Sequence, residues 1–550
     1  MNIITPAAKS YVPISVNDES TVVAEHEPEN TADTGYESEA QLEQRFIEIL
    51  QSQAYEYLPI HTPEDLENNL RAQLEKLNDI RFTTTEWRDF FTKNLANPSH
   101  GIVEKAAMLH EDNAQNAVQV LKREDGTTKN ITLLDRANIH NNTLQVTNQY
   151  ATDAGNYASR YDVTVLVNGL PMVQIELKRR GVDIKEAFNQ INRYQRDSFW
   201  ADSGLFEYVQ IFVISNGTHT KYYSNTVRHK HVATSTSTRK KSASADSFEF
   251  TSWWADGNNK PIKDLTAFTK TFFAKHSLLN ILTKYCIFTV DKDLMVMRPY
   301  QIVATERILQ RINTATNYKH YGTLQGGGYI WHTTGSGKTL TSFKTAQLAT
   351  RLGTVDKVLF IVDRKDLDYQ TMKEYDSFEK GAANSNTSTK ILQEQLEDPA
   401  TRIIITTIQK LATFIAHNKK HPIYQQHLVM VFDECHRSQF GDMHTTITKN
   451  FKKYHLFGFT GTPIFTANAG AGGNPKLKTT QQAFGDCLHT YTIVDAIADK
   501  NVLPFRVEYH RSMQIAEGKD ISGEVYGIKG EEALRDPRRI TAIIRYILDC

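Results

Sequence analysis

Asp162, Glu176 and Lys178 lie on either side of an Asn-Gly pair, and together they could cut a phosphodiester. Residues Arg160 to Lys178 read as two strands around a turn, because Asn168-Gly169 is a strong hairpin signal. Register decides whether a site can form. A two-residue loop at Asn168-Gly169 pairs Asp162 with Ile175 and puts Glu176 on the other face. A three-residue loop, Asn168 to Leu170, pairs Asp162 directly with Glu176. Lys178, two residues on, then shares that face. Facing carboxylates at Asp162 and Glu176 would hold Mg2+, and Lys178 would position a nucleophilic water or stabilise developing charge. Gln190 and Tyr194, at i and i+4 of the helix expected next, fall on one face and are candidates for the same centre. Glu43, on the first expected helix, is a further candidate acid.

A second constellation is built for nucleotide. Tyr329-Ile330-Trp331 reads as a strand and Leu340 onward as a helix. Between them lie Thr334, Gly335, Ser336, Gly337, Lys338 and Thr339. Glycines there let backbone N–H groups turn onto phosphate oxygens at a helix N-terminus. Lys338 would reach the β- and γ-phosphates of ATP, and the Thr339 hydroxyl would hold Mg2+. His332 stands where the general pattern has its first glycine. Downstream, the apolar run Leu428 to Phe432 ends in Asp433-Glu434. Asp433 at the end of a parallel strand is suited to a Mg2+ site, and Glu434 to orienting the attacking water as a general base.

The elements that must position these groups follow from patterning. Leu42, Phe46, Ile47 and Leu50 fall at helical spacing, so order is expected from about residue 37. The polar, acidic residues 1–36 are expected to form a disordered tail. Gly328–Trp331, Val358–Val362, Ile403–Thr406, Leu428–Phe432 and Leu456–Phe459 are short apolar strands separated by helical stretches, which predicts a parallel sheet. Two exposed loops are expected, one around Arg239-Lys240-Lys241 and one over Ala467 to Gly473. The chain has 550 residues, 40% of them hydrophobic and 23% charged, and no formal net charge. A nucleic acid must therefore be met by local patches rather than by a global field. The cysteines lack any C-x-x-C pair, which excludes a zinc ribbon. With no signal peptide and no long apolar run, a cytoplasmic protein without membrane contact is expected.

Several motifs in order resemble superfamily 2 helicases. Arg298-Pro299-Tyr300-Gln301 is similar to the adenine-reading segment, with Gln301 bonding the base. Asp363-Arg364-Lys365-Asp366-Leu367 and Thr406-Thr407-Ile408-Gln409 resemble the motifs that contact the DNA backbone. Asp433-Glu434-Cys435-His436 resembles the acidic box, and Thr460-Gly461-Thr462-Pro463 the segment coupling hydrolysis to motion. The Asp162, Glu176 and Lys178 set resembles the PD-(D/E)xK nuclease core, and Gln190 with Tyr194 the Q-x-x-x-Y element of RecB-type nucleases. A nuclease ahead of such a motor is similar to the restriction (motor) subunit of type I restriction-modification enzymes.

The fold class implied is α/β: a PD-(D/E)xK nuclease fold, then a RecA-like parallel-sheet helicase lobe, then an incomplete second lobe. The limits expected are 37–265 for the nuclease, 266–485 for the first lobe and 486–550 for the start of the second. The arginine finger that the family places in its second lobe is not found before Cys550, so the chain reads as an amino-terminal fragment. The resemblance also implies ATP, Mg2+, double-stranded DNA, and methylase and specificity subunits as partners. A stand-alone repair helicase–nuclease acting on DNA ends is the alternative.

Overall fold

Ser38 starts the first helix, α1 (Glu39–Ser52): its side chain accepts the Gln41 N–H while the Gln41 side chain reaches back to the Ser38 backbone. Leu42, Phe46, Ile47 and Leu50 are buried along one face, as their spacing predicts. The structure, a computed structural model, describes residues 20–27, 37–110, 117–152, 159–199, 203–225, 250–362, 373–378, 384–385, 388–433, 435, 442–468, 478–502 and 535–549. The expected basic loop at 239–241, the segment 363–367, Glu434, His436 and the glycine-rich run beyond residue 468 lie outside the described residues.

The amino-terminal half is built on a mixed sheet. Its strands are β1 (Glu56–Tyr57), β4 (Leu144–Thr152), β5 (Ser159–Val167), β6 (Leu170–Leu177), β7 (Ile211–Ser215) and β8 (Thr220–Ser224), in spatial order β1-β4-β5-β6-β7-β8. Strands β2 (Ala117–Lys122) and β3 (Thr128–Leu134) form a separate hairpin. Strand β6 is buried along its whole length and pairs in parallel with β7. The helix Ile184–Asp197 makes the crossover between them.

The β5–β6 turn differs from the loop that the site was expected to need. Val167 pairs with Leu170, so the loop is the two-residue Asn168-Gly169, with φ of 51° and 83°. Both angles are positive, which a primed hairpin turn requires. A bulge then intervenes: Leu166 pairs with Pro171 but Val165 pairs with Val173, leaving Met172 as the extra residue. Beyond it Val163 pairs with Ile175, and the same register sets Asp162 opposite Glu176. The facing was right and its cause was wrong, since one bulge residue shifts register as a third loop residue would.

Gly169 is irreplaceable for a second reason. A Cβ there would stand 2.6 Å from Leu70 Cα in helix α2 (Pro63–Asn78). Gly169→Val is therefore expected to destabilise the amino-terminal half by about 3 kcal/mol or more, read as a lowered midpoint in thermal melting. An unchanged midpoint would refute the close approach.

Part of the expected tail is ordered. Thr21 and Val22 are buried. The Thr21 N–H donates to Glu306 Oε1 and Oε2 at 3.0 and 3.1 Å, and Ser277 Oγ donates to the Thr21 carbonyl at 2.8 Å. The Gly257 N–H donates to the Val23 carbonyl at 2.8 Å, and the His26 N–H to Asp256 Oδ2 at 2.9 Å. Local composition could not announce this, because every partner lies more than two hundred residues away. Burial pushes the Glu306 carboxyl up to about 7.

Short strands β9 (Trp254–Ala255), β10 (Pro261–Ile262), β11 (Cys286–Phe288) and β12 (Leu294–Val296) lead to the long helix Pro299–Asn317. The second sheet is wholly parallel. Its strands are β13 (Gly328–His332), β14 (Lys357–Val362), β15 (Asn384–Ser385), β16 (Ile403–Thr407), β17 (His427–Phe432), β18 (Lys453–Thr460) and β19 (Cys487–Tyr491). They lie in the order β15-β16-β14-β17-β18-β13-β19. All the apolar strands expected from sequence are present, and their side chains are almost wholly buried. Strand β19 falls beyond the limit expected at residue 485, yet it pairs with β13 in this same sheet. It is the edge strand of that sheet, and its sequence, Cys-Leu-His-Thr-Tyr, has no apolar run to mark it.

The chain divides into two units, Met1–Val502 and Leu503–Cys550. In the first, one hydrophobic cluster runs from Val22 and α1 through the mixed sheet to Leu340 and Leu348, which belong to the helix Lys338–Arg351. The second contributes the described helix Pro537–Asp549.

Candidate active sites

The first site forms where β5 and β6 face each other. Glu176 is fully buried. Its Oε1 accepts Lys178 Nζ at 3.1 Å, while Oε2 is buried and meets no hydrogen-bond donor among the described residues. Asp162 Oδ2 accepts the Leu177 N–H at 2.9 Å, and its carboxyl lies beside that of Glu176. Burial raises the proton affinity of both acids, and for Glu176 the neighbouring Asp162 charge adds to it. Lys178 is anchored through its backbone, whose N–H donates to the Ser215 carbonyl at 2.8 Å, so the ammonium is held from a paired strand. It also donates to the Leu177 carbonyl at 3.1 Å.

The residues present fit a hard divalent cation: two adjoining carboxylates, one with a buried oxygen that no described donor satisfies. Among the described residues no group of three or more His, Cys, Asp or Glu is placed to hold a metal, so backbone carbonyls, water or substrate would complete a coordination shell.

Gln190 and Tyr194 are brought to this site, in a supporting position. Gln190 Nε2 donates to Tyr194 Oη at 2.5 Å, and Tyr194 Oη donates to the Arg160 carbonyl at 2.6 Å. They therefore hold the strand two residues before Asp162. Burial, with Glu176 next, raises the Tyr194 phenol, so it stays a proton donor at neutral pH. Glu43 is also close enough to feel the Asp162 charge. Its carboxylate accepts Asn148 Nδ2 and Gln149 Nε2, both at 2.5 Å. Gln149 has φ of 54° and is skipped in the β4–β5 ladder, where Asn148 pairs with Val163 and Tyr150 with Tyr161. No sequence pattern announces that distortion, and it aims Gln149 at Glu43.

The second site lies at the carboxyl ends of the parallel strands. Gly335 and Gly337 have φ of 80° and 75°. Gly337 caps the helix Lys338–Arg351, so the loop leads into the positive end of a helix. Among the described residues a Cβ on Gly335 would meet nothing within 4 Å. These features fit a nucleotide phosphate chain. Ser336 Oγ donates to the Thr333 carbonyl at 2.6 Å and closes the turn. Asp433 follows β17, separated in the sheet from β13 by β18 alone. After β18, Gly461 packs against Thr334, and Trp331 Nε1 donates to the Gly461 carbonyl at 3.2 Å. In the other motif Thr406 and Thr407 are buried, Thr407 caps the helix Ile408–His417, and Gln409 is exposed.

Gln301 is committed within the protein. Its Oε1 accepts the Arg298 N–H at 2.9 Å, and Nε2 donates to the Ser336 carbonyl at 3.0 Å. It grips the phosphate loop. Arg298 Nη1 bonds to Asn501 Oδ1 and lines a cleft with Trp253, Tyr300, Tyr491 and Asp499. His332, in the first-glycine position, is fully buried, with Nε2 2.9 Å from His489 Nδ1. Burial drives the proton affinity of both imidazoles down, and the pair is neutral. Tyr491 and His489 were not foreseen, since they sit on the strand that the pattern does not mark.

A family model described as SWI2/SNF2 ATPase matches residues 300–535, and one described as type I restriction enzyme R protein N terminus matches 36–231. The chain is 46% identical over 304 residues to the type I restriction enzyme EcoprrI endonuclease subunit of Escherichia coli, covering 91% of that protein and 55% of this chain. The chain belongs to the family of type I restriction enzyme endonuclease subunits. A type I endonuclease subunit of Staphylococcus saprophyticus is 39% identical over 527 residues, covering 94% of this chain and 52% of that one. The chain thus spans about half the length of the curated relatives it matches. A solved structure titled as the type ISP restriction-modification enzyme LlaBIII bound to DNA matches 38% of this chain and 16% of that one, at 20% identity and a TM-score of 0.28. Within the family's N-terminal region fall Asp162, Glu176, Lys178, Gln190 and Tyr194, and within the ATPase region the phosphate loop and Asp433. Among the described residues of this type I subunit, no helix is long and apolar enough to cross a membrane.

Proposed function

We propose that this chain supplies the ATP-driven DNA motor and the Mg2+-dependent double-strand nuclease of a cytoplasmic type I restriction-modification enzyme, alongside methylase and specificity subunits. The observation that carries the reading is the presence, in one continuous unit, of a buried Asp162–Glu176–Lys178 centre and a glycine-turned loop at a helix N-terminus, on the same carboxyl edge of the sheet as Asp433. The nuclease occupies about residues 37–265, and the motor lobe runs from there through β19.

At the nuclease centre Asp162 and Glu176 would hold Mg2+. The bound ion would supply Lewis acidity at the scissile phosphate and lower the pKa of a bound water. Lys178, fixed 3.1 Å from Glu176, is placed to meet charge developing on the phosphate oxygens. Gln190 and Tyr194 act as positioning residues, through the Arg160 carbonyl. At the motor, Gly335 to Thr339 would cradle the ATP phosphates, with Lys338 on the β- and γ-phosphates. Thr339 and Asp433 would hold Mg2+ there, and Glu434 would orient the attacking water. Arg298 and Gln301 would frame the base side, Gln301 partly through its hold on the loop.

The test is isolation of the chain from its native cell with its partners. A methylase and a specificity subunit are expected to co-purify, and duplex DNA bearing the recognition site is expected to stimulate ATP hydrolysis by the complex. Isolation without such partners, with activity on DNA ends alone, would assign the chain to a repair-type helicase–nuclease instead.

A further inference from the structure

Strand β19 is tied to the phosphate loop by contacts that neither site requires. The Tyr300 and Tyr491 rings stack with centroids 3.6 Å apart and planes 12° from parallel. Tyr300 Oη donates to the Ser336 carbonyl at 2.8 Å, the same carbonyl that Gln301 holds. The Thr333 N–H donates to the Tyr491 carbonyl at 2.9 Å. From Tyr491 the chain of contacts continues outward. Its Oη donates to Asp499 Oδ2 at 2.9 Å and accepts Asn501 Nδ2 at 2.6 Å, and Asn501 also binds Arg298. The N–H groups of Asn501 and Val502 fold back onto the Ala496 carbonyl at 2.8 and 3.2 Å. Val502 is the last residue of the first unit.

An unbroken series of packed rings and hydrogen bonds therefore runs from the loop to the point where the chain leaves this unit. Tyr491 is fully buried at its centre. A buried tyrosine hydroxyl usually finds a hydrogen-bond partner, and the identity of that partner decides what the residue joins. Here the hydroxyl is shared by two side chains of the exit segment, while the ring rests on the residue that bonds the loop. We propose that Tyr491 is a positioning residue that transmits nucleotide occupancy of the phosphate loop to segment 492–502. Phosphate binding reorients the peptide at Ser336, and that carbonyl is what Tyr300 holds. Displacement of the Tyr300 ring alters the stack, and Tyr491 carries the change to Asp499 and Asn501. Coupling of this kind needs contiguous groups whose arrangement both ends can bias.

The inference rests on the phosphate-loop reading above, and amide hydrogen exchange on this chain separates the two. With Mg2+ and a non-hydrolysable imido analogue of ATP, exchange over 493–502 is expected to slow about five-fold or more. In Tyr491→Phe, which keeps the stack but loses both side-chain partners, the slowing is expected to fall below about two-fold, with analogue affinity changed by less than about three-fold. A purely structural role would raise exchange equally with and without analogue and leave their ratio unchanged. Asn501→Ala, at the half-buried outer end of the series, gives the same readout should the first variant fold poorly. Bound analogue with no response at 493–502, or a full response in either variant, would overturn the inference. Absence of analogue binding would remove the nucleotide-site reading, and this proposal with it.

Discussion

Lys338→Ala is expected to lower ATP turnover by the assembled enzyme by about 100- to 1000-fold, the usual effect of deleting one charge-stabilising group from a transfer site. Lys338 is the first residue of its helix, directly after the Gly337 cap. A cation there adds to the positive end of the helix dipole, which disfavours the helix unless an anion is bound in front. The same substitution should therefore leave the fold intact, with a stability change within about 0.5 kcal/mol. Translocation, followed by displacement of a triplex-forming strand, should disappear together with turnover. A turnover rate within a factor of about two of the unaltered enzyme would remove Lys338 from the phosphate site.

Glu176→Gln is expected to abolish DNA cleavage while leaving ATP-driven translocation in place. Amide and carboxylate have nearly the same shape, so only the charge is lost, and with it the donor set for Mg2+. A second effect has the opposite sign. Glu176 binds its proton more tightly in the folded chain, because burial and Asp162 both disfavour the charge. Its contribution to stability is full below the ordinary carboxylate value of about 4.3 and is lost as pH rises through the raised one. The glutamine carries no such loss. The variant should melt above the unaltered protein in the absence of metal, with a gap that widens from pH 5 to pH 8 and reaches about 0.5–2 kcal/mol. Mg2+ should then raise the melting temperature of the unaltered protein and not of the variant. Equal melting curves across that pH range would mean that Glu176 is not held as a strained buried acid. Loss of translocation together with cleavage would mean that its role is structural.

Glycine-rich loops and apolar strands are local signals, and both were legible. The loop at Gly335 to Thr339 and the strand ending at Asp433 lie where patterning puts them. The Asp162–Glu176 facing was also foreseen, but through a loop of the wrong length. The Met172 bulge that produces it leaves no trace in composition, because β6 is uniformly apolar there. Gln190 and Tyr194 were found from helical spacing, whereas their action through the Arg160 carbonyl depends on a strand thirty residues away. What escaped was non-local. The hydrogen bonds that fix Thr21, Val23 and His26 come from groups between 256 and 306, and β19 joins the sheet at its edge through β13. Gln301 was expected to read a base, but the nearer backbone at Ser336 takes its amide. Short-range pattern reports which chemistry a segment can do and is silent on which neighbour reaches it first.

The shared apolar cluster bears on how such a protein can be rearranged. Trp254, Phe268, Phe272 and Leu279 pack in the same cluster as Tyr161 and Val163 from the amino-terminal half and Leu340 from the parallel-sheet half. The parallel sheet has further clusters of its own, so the shared cluster joins the two halves rather than completing both. Exchange of amino-terminal halves between related subunits would therefore succeed only if the graft carried residues 250–297 and the segment 20–27 with it. A junction placed within 250–297, between the matched regions, would divide that shared cluster. Homologous recombination in this family should accordingly leave its scars outside that interval, and hybrid subunits joined inside it should accumulate as insoluble protein.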